Sequence, residues 1–368
     1  MIDFDARAAL GSFHLDVTFR VPEAGTTVLF GPSGAGKTTV LALLAGAMKA
    51  RSGRIEVGSS VFVDTARDHF VPLERRRLGW VFQDGRLFPH LTVAQNLTYG
   101  LKRRREEPIR VDEGRVLEVL GIGGLLDRWP RDLSGGERQR IAIGRALLAQ
   151  PRLLLMDEPL ASLDVPRKRE ILELLASIGI EFAIPIVYVT HSLAELVRLA
   201  DHVVLLDRGR VLAHGPANDL LGRSDTPLLA ARGDAGAIIE APIAAQRPER
   251  GTTVLTLGAQ QLQIPYLGGG VGHRVRVHII ANDVIVATER PRAISVRNVL
   301  SASVSRLSAR EDGAVNVELA LSDEHRLLAT VTQEAVRELK LAPGLPVFAL
   351  LKSVAIDAPA GSRLLEIS

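Results

Sequence analysis

The stretch Gly31-Pro32-Ser33-Gly34-Ala35-Gly36-Lys37-Thr38 constrains this chain more than any other. It follows an apolar β-type run (Thr26 to Phe30) and leads into an apolar helical run (Thr39 to Met48). Strand, glycine loop and helix in that order is the setting a phosphate-binding loop requires. The glycines let successive backbone N–H groups turn inward as an anion nest. The helix N-terminus behind them adds a partial positive charge. The spacing gives the Lys37 ammonium reach to the β- and γ-phosphates and offers the Thr38 hydroxyl to Mg²⁺.

A chain of 368 residues has room for two domains or three and for a sizeable core. The formal net charge of +3 is too small to argue for a nucleic-acid partner, and 4% aromatic residues leave little surface for stacking bases. No apolar run approaches the roughly 18 residues of a membrane span. The N-terminus, Met1-Ile2-Asp3-Phe4-Asp5, has no basic region followed by an apolar core, so no secretory signal is expected. There is no cysteine, which excludes disulfides, thiolate metal sites and thiol nucleophiles and agrees with a cytoplasmic protein.

Residues 2 to 21 read as two short strands, and residues 53 to 63 alternate as a hairpin. Glu74 to Gly79 reads as a basic, solvated turn of helix. Trp80-Val81-Phe82-Gln83 is a short apolar strand ending on a glutamine, and the apolar segment Leu87 to Val93 packs on the core or faces a partner. Residues 92 to 126 read as helical, with Thr92 as N-cap, and Lys102 to Glu107 is a charge run at a solvated helix end. Ser134, before paired glycines and Glu137, opens a helix to about Leu148, and its free N–H groups make a second anion site possible. Leu153-Leu154-Leu155-Met156-Asp157-Glu158 is a buried parallel strand ending in two carboxylates. Asp157 is placed there to hold Mg²⁺ and Glu158 to accept a proton from an attacking water. Ser162-Leu163-Asp164 follows in a loop. A further buried strand runs from Ile184 to Val189, and His191 stands just before a helix whose start, Ser192 to Glu195, reads as a capping box. A hairpin around Arg208-Gly209 closes this part, which is expected to end near Arg232. Beyond Gly233, alternating runs replace helical periodicity and predict a small barrel or sandwich, with one short helix over Gln333 to Leu341 capped by Thr332.

Taken singly, Gln83, Ser134 and His191 are ordinary strand-end, cap and loop residues. Taken in order, the glycine loop, Gln83, Leu133-Ser134-Gly135-Gly136-Glu137, the Leu153-to-Glu158 strand, Ser162-Leu163-Asp164 and His191 resemble the ATPase of an ABC transporter. The resemblance spans residues 1–232 and implies an α/β P-loop NTPase fold with a helical subdomain. It implies head-to-tail homodimers, each ATP lying between the phosphate loop of one subunit and the Leu133-to-Glu137 segment of the other. In that picture ATP and Mg²⁺ are bound by Gly31 through Thr39, Gln83 and Asp157. Ser134, Gly135, Gly136 and Glu137 face the partner's nucleotide, and Asp164 communicates across the dimer. Lys37, Glu158 and His191 act in hydrolysis. Residues 84–97 dock on a separate membrane permease at the cytoplasmic face of the cell's inner membrane, and a binding protein delivers the solute. For the adenine ring the best candidate is Phe13, with an ordinary strand residue as the plainer reading.

The second half narrows the solute. Ile294 to Leu300, the alternating strands and Leu350 to Ile356 resemble a Mop- or TOBE-type, oligo-binding-like all-β barrel, expected over 291–357, with 233–290 as a β-rich connecting region. That family takes molybdate or tungstate, which implies Ser295, Arg297, Lys352 and Ser353 as oxyanion donors. Phe82 through His90 is similar to the same importer group. Related ATPases move sulfate, sugars, polyamines or iron. A reading of another class makes the chain a cytosolic oxyanion sensor regulated by ATP.

Overall fold

The computed structural model describes residues 1–101, 111–161, 163–221, 236–267, 269–310, 312–322 and 325–352, and they form two compact units that divide between Pro216 and Ala217. Each unit has its own hydrophobic core.

In the first unit β1 (Ile2–Leu10) and β2 (Phe13–Val21) form the expected hairpin, followed by β3 (Thr26–Phe30) and α1 (Lys37–Ala45). Then come β4 (Ser52–Val57), β5 (Ser60–Asp64), β6 (His69–Phe70), β7 (Leu78–Val81), α2 (Val93–Thr98), α3 (Glu113–Leu120) and α4 (Gly135–Leu148). β8 (Leu153–Asp157), α5 (Val165–Glu181), β9 (Ile186–Thr190), α6 (Leu193–Leu199), β10 (His202–Asp207) and β11 (Arg210–Pro216) complete it. One sheet runs β6-β5-β4-β1-β2-β11-β10-β3-β9-β8-β7. Its β10-β3-β9-β8-β7 half is parallel. β3 and β9 are buried at every residue, as their unbroken apolar sequences require of strands covered on both faces. The glycine loop, Asp157-Glu158 and His191 therefore all leave the carboxyl ends of adjacent strands, where open α/β sheets place ligands.

Two expectations are corrected. The helical reading of 92–126 resolves into α2 and α3: Gly100 follows the first, and Asp112 restarts the second by accepting the N–H of Arg115. The Lys102-to-Glu107 run lies outside the described residues. The basic stretch after Glu74 is also not all solvated, because Arg76 is 1% exposed. Among the described residues no helix is long and apolar enough to cross a membrane.

The second unit is β-rich, as expected from Gly233 onward. After α7 (Ala217–Leu221) it contains β12 (Gly236–Arg247), β13 (Thr252–Leu257), β14 (Gln260–Pro265), β15 (Arg274–Ile280), β16 (Ile285–Ala287), β17 (Asn298–Ala309), β18 (Ala314–Ala320), β19 (Arg326–Thr332), α8 (Gln333–Glu338) and β20 (Pro346–Leu351). Two sheets, β14-β13-β12-β15 and β16-β20-β17-β18-β19, share one core that includes Ile239, Leu255, Val277, Leu300, Val317 and Leu327. Side-chain amides stitch them together. Asn298 Oδ1 accepts the Gln263 N–H at 2.7 Å while its Nδ2 donates to Gln263 O at 2.8 Å. Gln260 makes the equivalent pair of bonds to the backbone of Ser301. Thr332 caps α8 as expected.

Candidate functional site

The phosphate loop is formed by close backbone approach. A Cβ on Gly31 would stand 2.1 Å from Leu206 O, so only glycine fits there. Gly36, the N-cap of α1, has φ of 100°, a left-handed conformation, and no side chain caps the first N–H groups of the helix, which remain for a ligand. Lys37, 5% exposed, donates from Nζ to the carbonyls of Gly31 and Pro32 at 2.9 Å each. Its ammonium is thus buried at the mouth of the nest, where an anion would exchange for those carbonyls.

The ends of β8 and β9 complete the cluster. The Thr38 hydroxyl donates to Asp157 Oδ1 at 3.1 Å. Burial raises the Asp157 carboxyl above its ordinary value, and the Thr38 bond works against that shift. Glu158 lies 3.9 Å from the Lys37 ammonium through Oε1 and 3.1 Å from His191 Nδ1 through Oε2. Its backbone is left-handed, with φ of 44°, a strained state for a non-glycine residue and one concentrated at functional sites. The structure thus brings together Lys37, Thr38, Asp157, Glu158 and His191.

Gln83 is exposed just beyond β7 and shares a cleft of about 610 Å³ with Phe82, Arg86, Gly135, Arg138 and Asp157. Ser134 is the N-cap of α4: its hydroxyl accepts the Glu137 N–H, and Glu137 Oε2 accepts the Ser134 N–H at 2.7 Å. The Glu137 carboxylate is thereby committed to its own helix, leaving the N–H groups of Gly135 and Gly136 for an anion. Asp164 caps α5, accepting the Arg167 N–H. Phe13, at the start of β2, lies against the loop, since a Cβ on Gly36 would come within 3.0 Å of its ring. Ser162 lies outside the described residues.

In the second unit Ser295, Arg297 and Lys352 are exposed, and Ser353 lies outside the described residues. The pairing of Asn298 with Leu351 brings Arg297 and Lys352 to the same end of the β17–β20 ladder.

Several residues of the first unit escape a sequence reading. Asn96, fully buried on α2, bonds the backbone of Phe88 in both directions. Arg145 on α4 donates to Gly85 and Arg86. Glu195 corrects the expected capping box. Ser192 accepts its N–H, but its buried carboxylate turns inward and accepts from the hydroxyls of Tyr188 and Thr190 at 2.9 and 2.7 Å. The signal for Glu195 was present in the hydroxyl residues of β9, which put two O–H donors inside the fold.

Residues 15–161 match the family model described as "ABC transporter", and residues 294–358 match the "TOBE domain". The chain is 46% identical over 360 residues to the molybdenum import ATP-binding protein ModC of Rhodospirillum rubrum, covering 97% of each chain. It is 44% identical to the protein of the same name from Rhizobium meliloti, covering 97% of this chain and 99% of that one. Among solved structures, cbiO1 of Clostridium perfringens, part of the ABC transporter complex cbiONQ, superposes with a TM-score of 0.53 at 26% identity, covering 62% of this chain and 93% of its own.

Proposed function

The chain belongs to the family of molybdenum import ATP-binding proteins, which are ATPases of ABC transporters, and from that premise we propose that it is the ATP-hydrolysing motor of a molybdate or tungstate importer. The observation that carries the reading is the joined cluster at the ends of β3, β8 and β9: Lys37 and His191 on the two oxygens of Glu158, beside the Thr38–Asp157 pair.

In hydrolysis Glu158 accepts a proton from water as the water oxygen bonds to the γ-phosphorus. The bond to the bridging oxygen breaks, and that oxygen leaves with ADP. His191, in the tautomer that carries hydrogen on Nδ1, fixes one oxygen of Glu158, and Lys37 with the loop N–H groups draws off the charge that builds on the phosphate. Thr38 and Asp157 present hard oxygen atoms side by side, a donor set that fits Mg²⁺ completed by phosphate oxygens and water. The bound ion would neutralise phosphate charge.

The active form is a head-to-tail homodimer in which Ser134, Gly135 and Gly136 of one subunit close on the nucleotide of the other, near Asp164. Residues 84–97 dock on the permease at the cytoplasmic face of the inner membrane, a separate binding protein supplies the anion, and Phe13 stacks on the adenine ring. Ser295, Arg297, Lys352 and Ser353 hold oxyanion in the barrel. Glu158→Gln tests the core of the reading. It keeps the shape and removes the base, so turnover should fall at least about 100-fold. The ATP-bound dimer should persist on size-exclusion chromatography. Hydrolysis at the parental rate would rule out Glu158 as the base.

A further inference from the structure

The loop after Gln83 has two consecutive left-handed residues, Gly85 with φ of 69° and Arg86 with φ of 42°. The second is a non-glycine residue in a conformation that persists only when its surroundings hold it. What holds it is on α4. Arg145 donates from Nη2 to Gly85 O at 3.1 Å and from Nη1 to Arg86 O at 2.9 Å. Its guanidinium also lies 5.0 Å from the centre of the Phe88 ring. Phe88 packs on Tyr99 with centroids 4.3 Å apart, and Asn96 fixes its backbone and donates to Leu91 O at 3.1 Å. A planar fork on two carbonyls and an aromatic face is a geometry that lysine does not reproduce. Burial lowers the Arg145 pKa, so its bonds act in a partly desolvated setting.

Arg145 stands on the helix capped by Ser134, about 15 Å along its axis from Gly135 at 1.5 Å per residue. One end of α4 offers N–H groups to an anion, and the other grips the loop that leaves Gln83. We infer that Arg145 is a positioning residue that makes the 83–91 loop and the Ser134 end of α4 move as one body, so that closure on nucleotide at one is delivered to the other. This rests on the proposed dimeric ATPase reading.

The test is hydrogen exchange on the full chain carrying Glu158→Gln, with and without Mg-ATP. In that background ATP should slow exchange in both 134–139 and 84–91. Adding Arg145→Ala should leave the slowing at 134–139 and abolish it at 84–91, where exchange should be about tenfold or more faster, in line with losing charge-assisted bonds. Arg145→Lys should restore it in part. Should the alanine variant fold poorly, Phe88→Leu removes the ring and keeps both carbonyl bonds, and partial loss at 84–91 alone is expected. Full ATP-dependent slowing at 84–91 in both Arg145 variants would overturn the inference, as would its absence there in the Glu158→Gln background. No slowing at 134–139 in that background would sink the dimer reading and this inference with it.

Discussion

Arg76 is a cation inside the fold, 1% exposed, and among the described residues no carboxylate pairs with it. Its Nη1 donates to Leu43 O and Leu44 O at 2.8 Å each and its Nε to Val71 O at 2.7 Å, while Phe62 and Phe70 lie 5.0 and 5.1 Å from the guanidinium. Two of those carbonyls end α1, where the helix dipole gathers negative charge. Burial pushes the group down to about 10, which still leaves it charged at neutral pH. Arg76→Lys should therefore cost about 2 kcal/mol in a urea titration, because one ammonium cannot satisfy the same fork. A change under about 0.5 kcal/mol would show that the fork does not stabilise the fold. Asp157 has the opposite character. Its raised carboxyl pKa means that the charge costs stability above that pKa, and the cost fades as pH falls through it and is gone below the ordinary carboxylate range, where folded and unfolded states are both protonated. Asp157→Asn should then raise stability by about 0.5 kcal/mol at neutral pH, lose that gain in acid and abolish Mg-dependent hydrolysis. Calorimetry against pH, beside an ATPase assay, reads all three.

At the scale of elements, the start of α4 can be tested through its cap. The Ser134 backbone N–H, and then its hydroxyl, hold the Glu137 carboxyl below its ordinary value. A lowered carboxylate pKa is stability present above the unfolded value and lost as pH falls through the folded one. Glu137→Ala should cost about 1 kcal/mol at neutral pH, and the gap to the parent should close in acid. A gap independent of pH would mean that the carboxylate does not cap the helix. This element was legible in the chain, as were the phosphate loop and the β8 end, because each is written in neighbouring residues: a cap three positions from its partner, an apolar run ending in carboxylates. Arg76 and Arg145 were not legible. Their partners lie 33 and 59 residues away at Leu43 and Arg86, and no local period announces such a contact. Glu195 misleads for a different reason: its partners Tyr188 and Thr190 lie only 7 and 5 residues away, but a carboxylate at a capping position reads as a cap until the hydroxyls of β9 are seen beneath it.

Each of the two units has its own core, so each offers a readout of binding. A ligand stabilises the structure it binds by RT ln(1 + [L]/Kd), about 2.7 kcal/mol at one hundred times Kd. In the full chain carrying Glu158→Gln, Mg-ATP should raise the melting of the unit that contains the phosphate loop. Molybdate should raise that of the unit containing Arg297 and Lys352, whose side chains leave the same end of one ladder. Segment-resolved exchange during heating assigns each shift to its unit. Arg297→Ala together with Lys352→Ala should remove the molybdate response and leave the ATP response intact, since an oxyanion deprived of both cations keeps only neutral donors. Sulfate at the same concentration serves as the discriminating anion. A molybdate response that survives the double substitution would move the anion away from these residues. No response to any anion would take ligand binding from the barrel while leaving the ATPase reading in place, and the cargo would then rest on uptake measured with the permease.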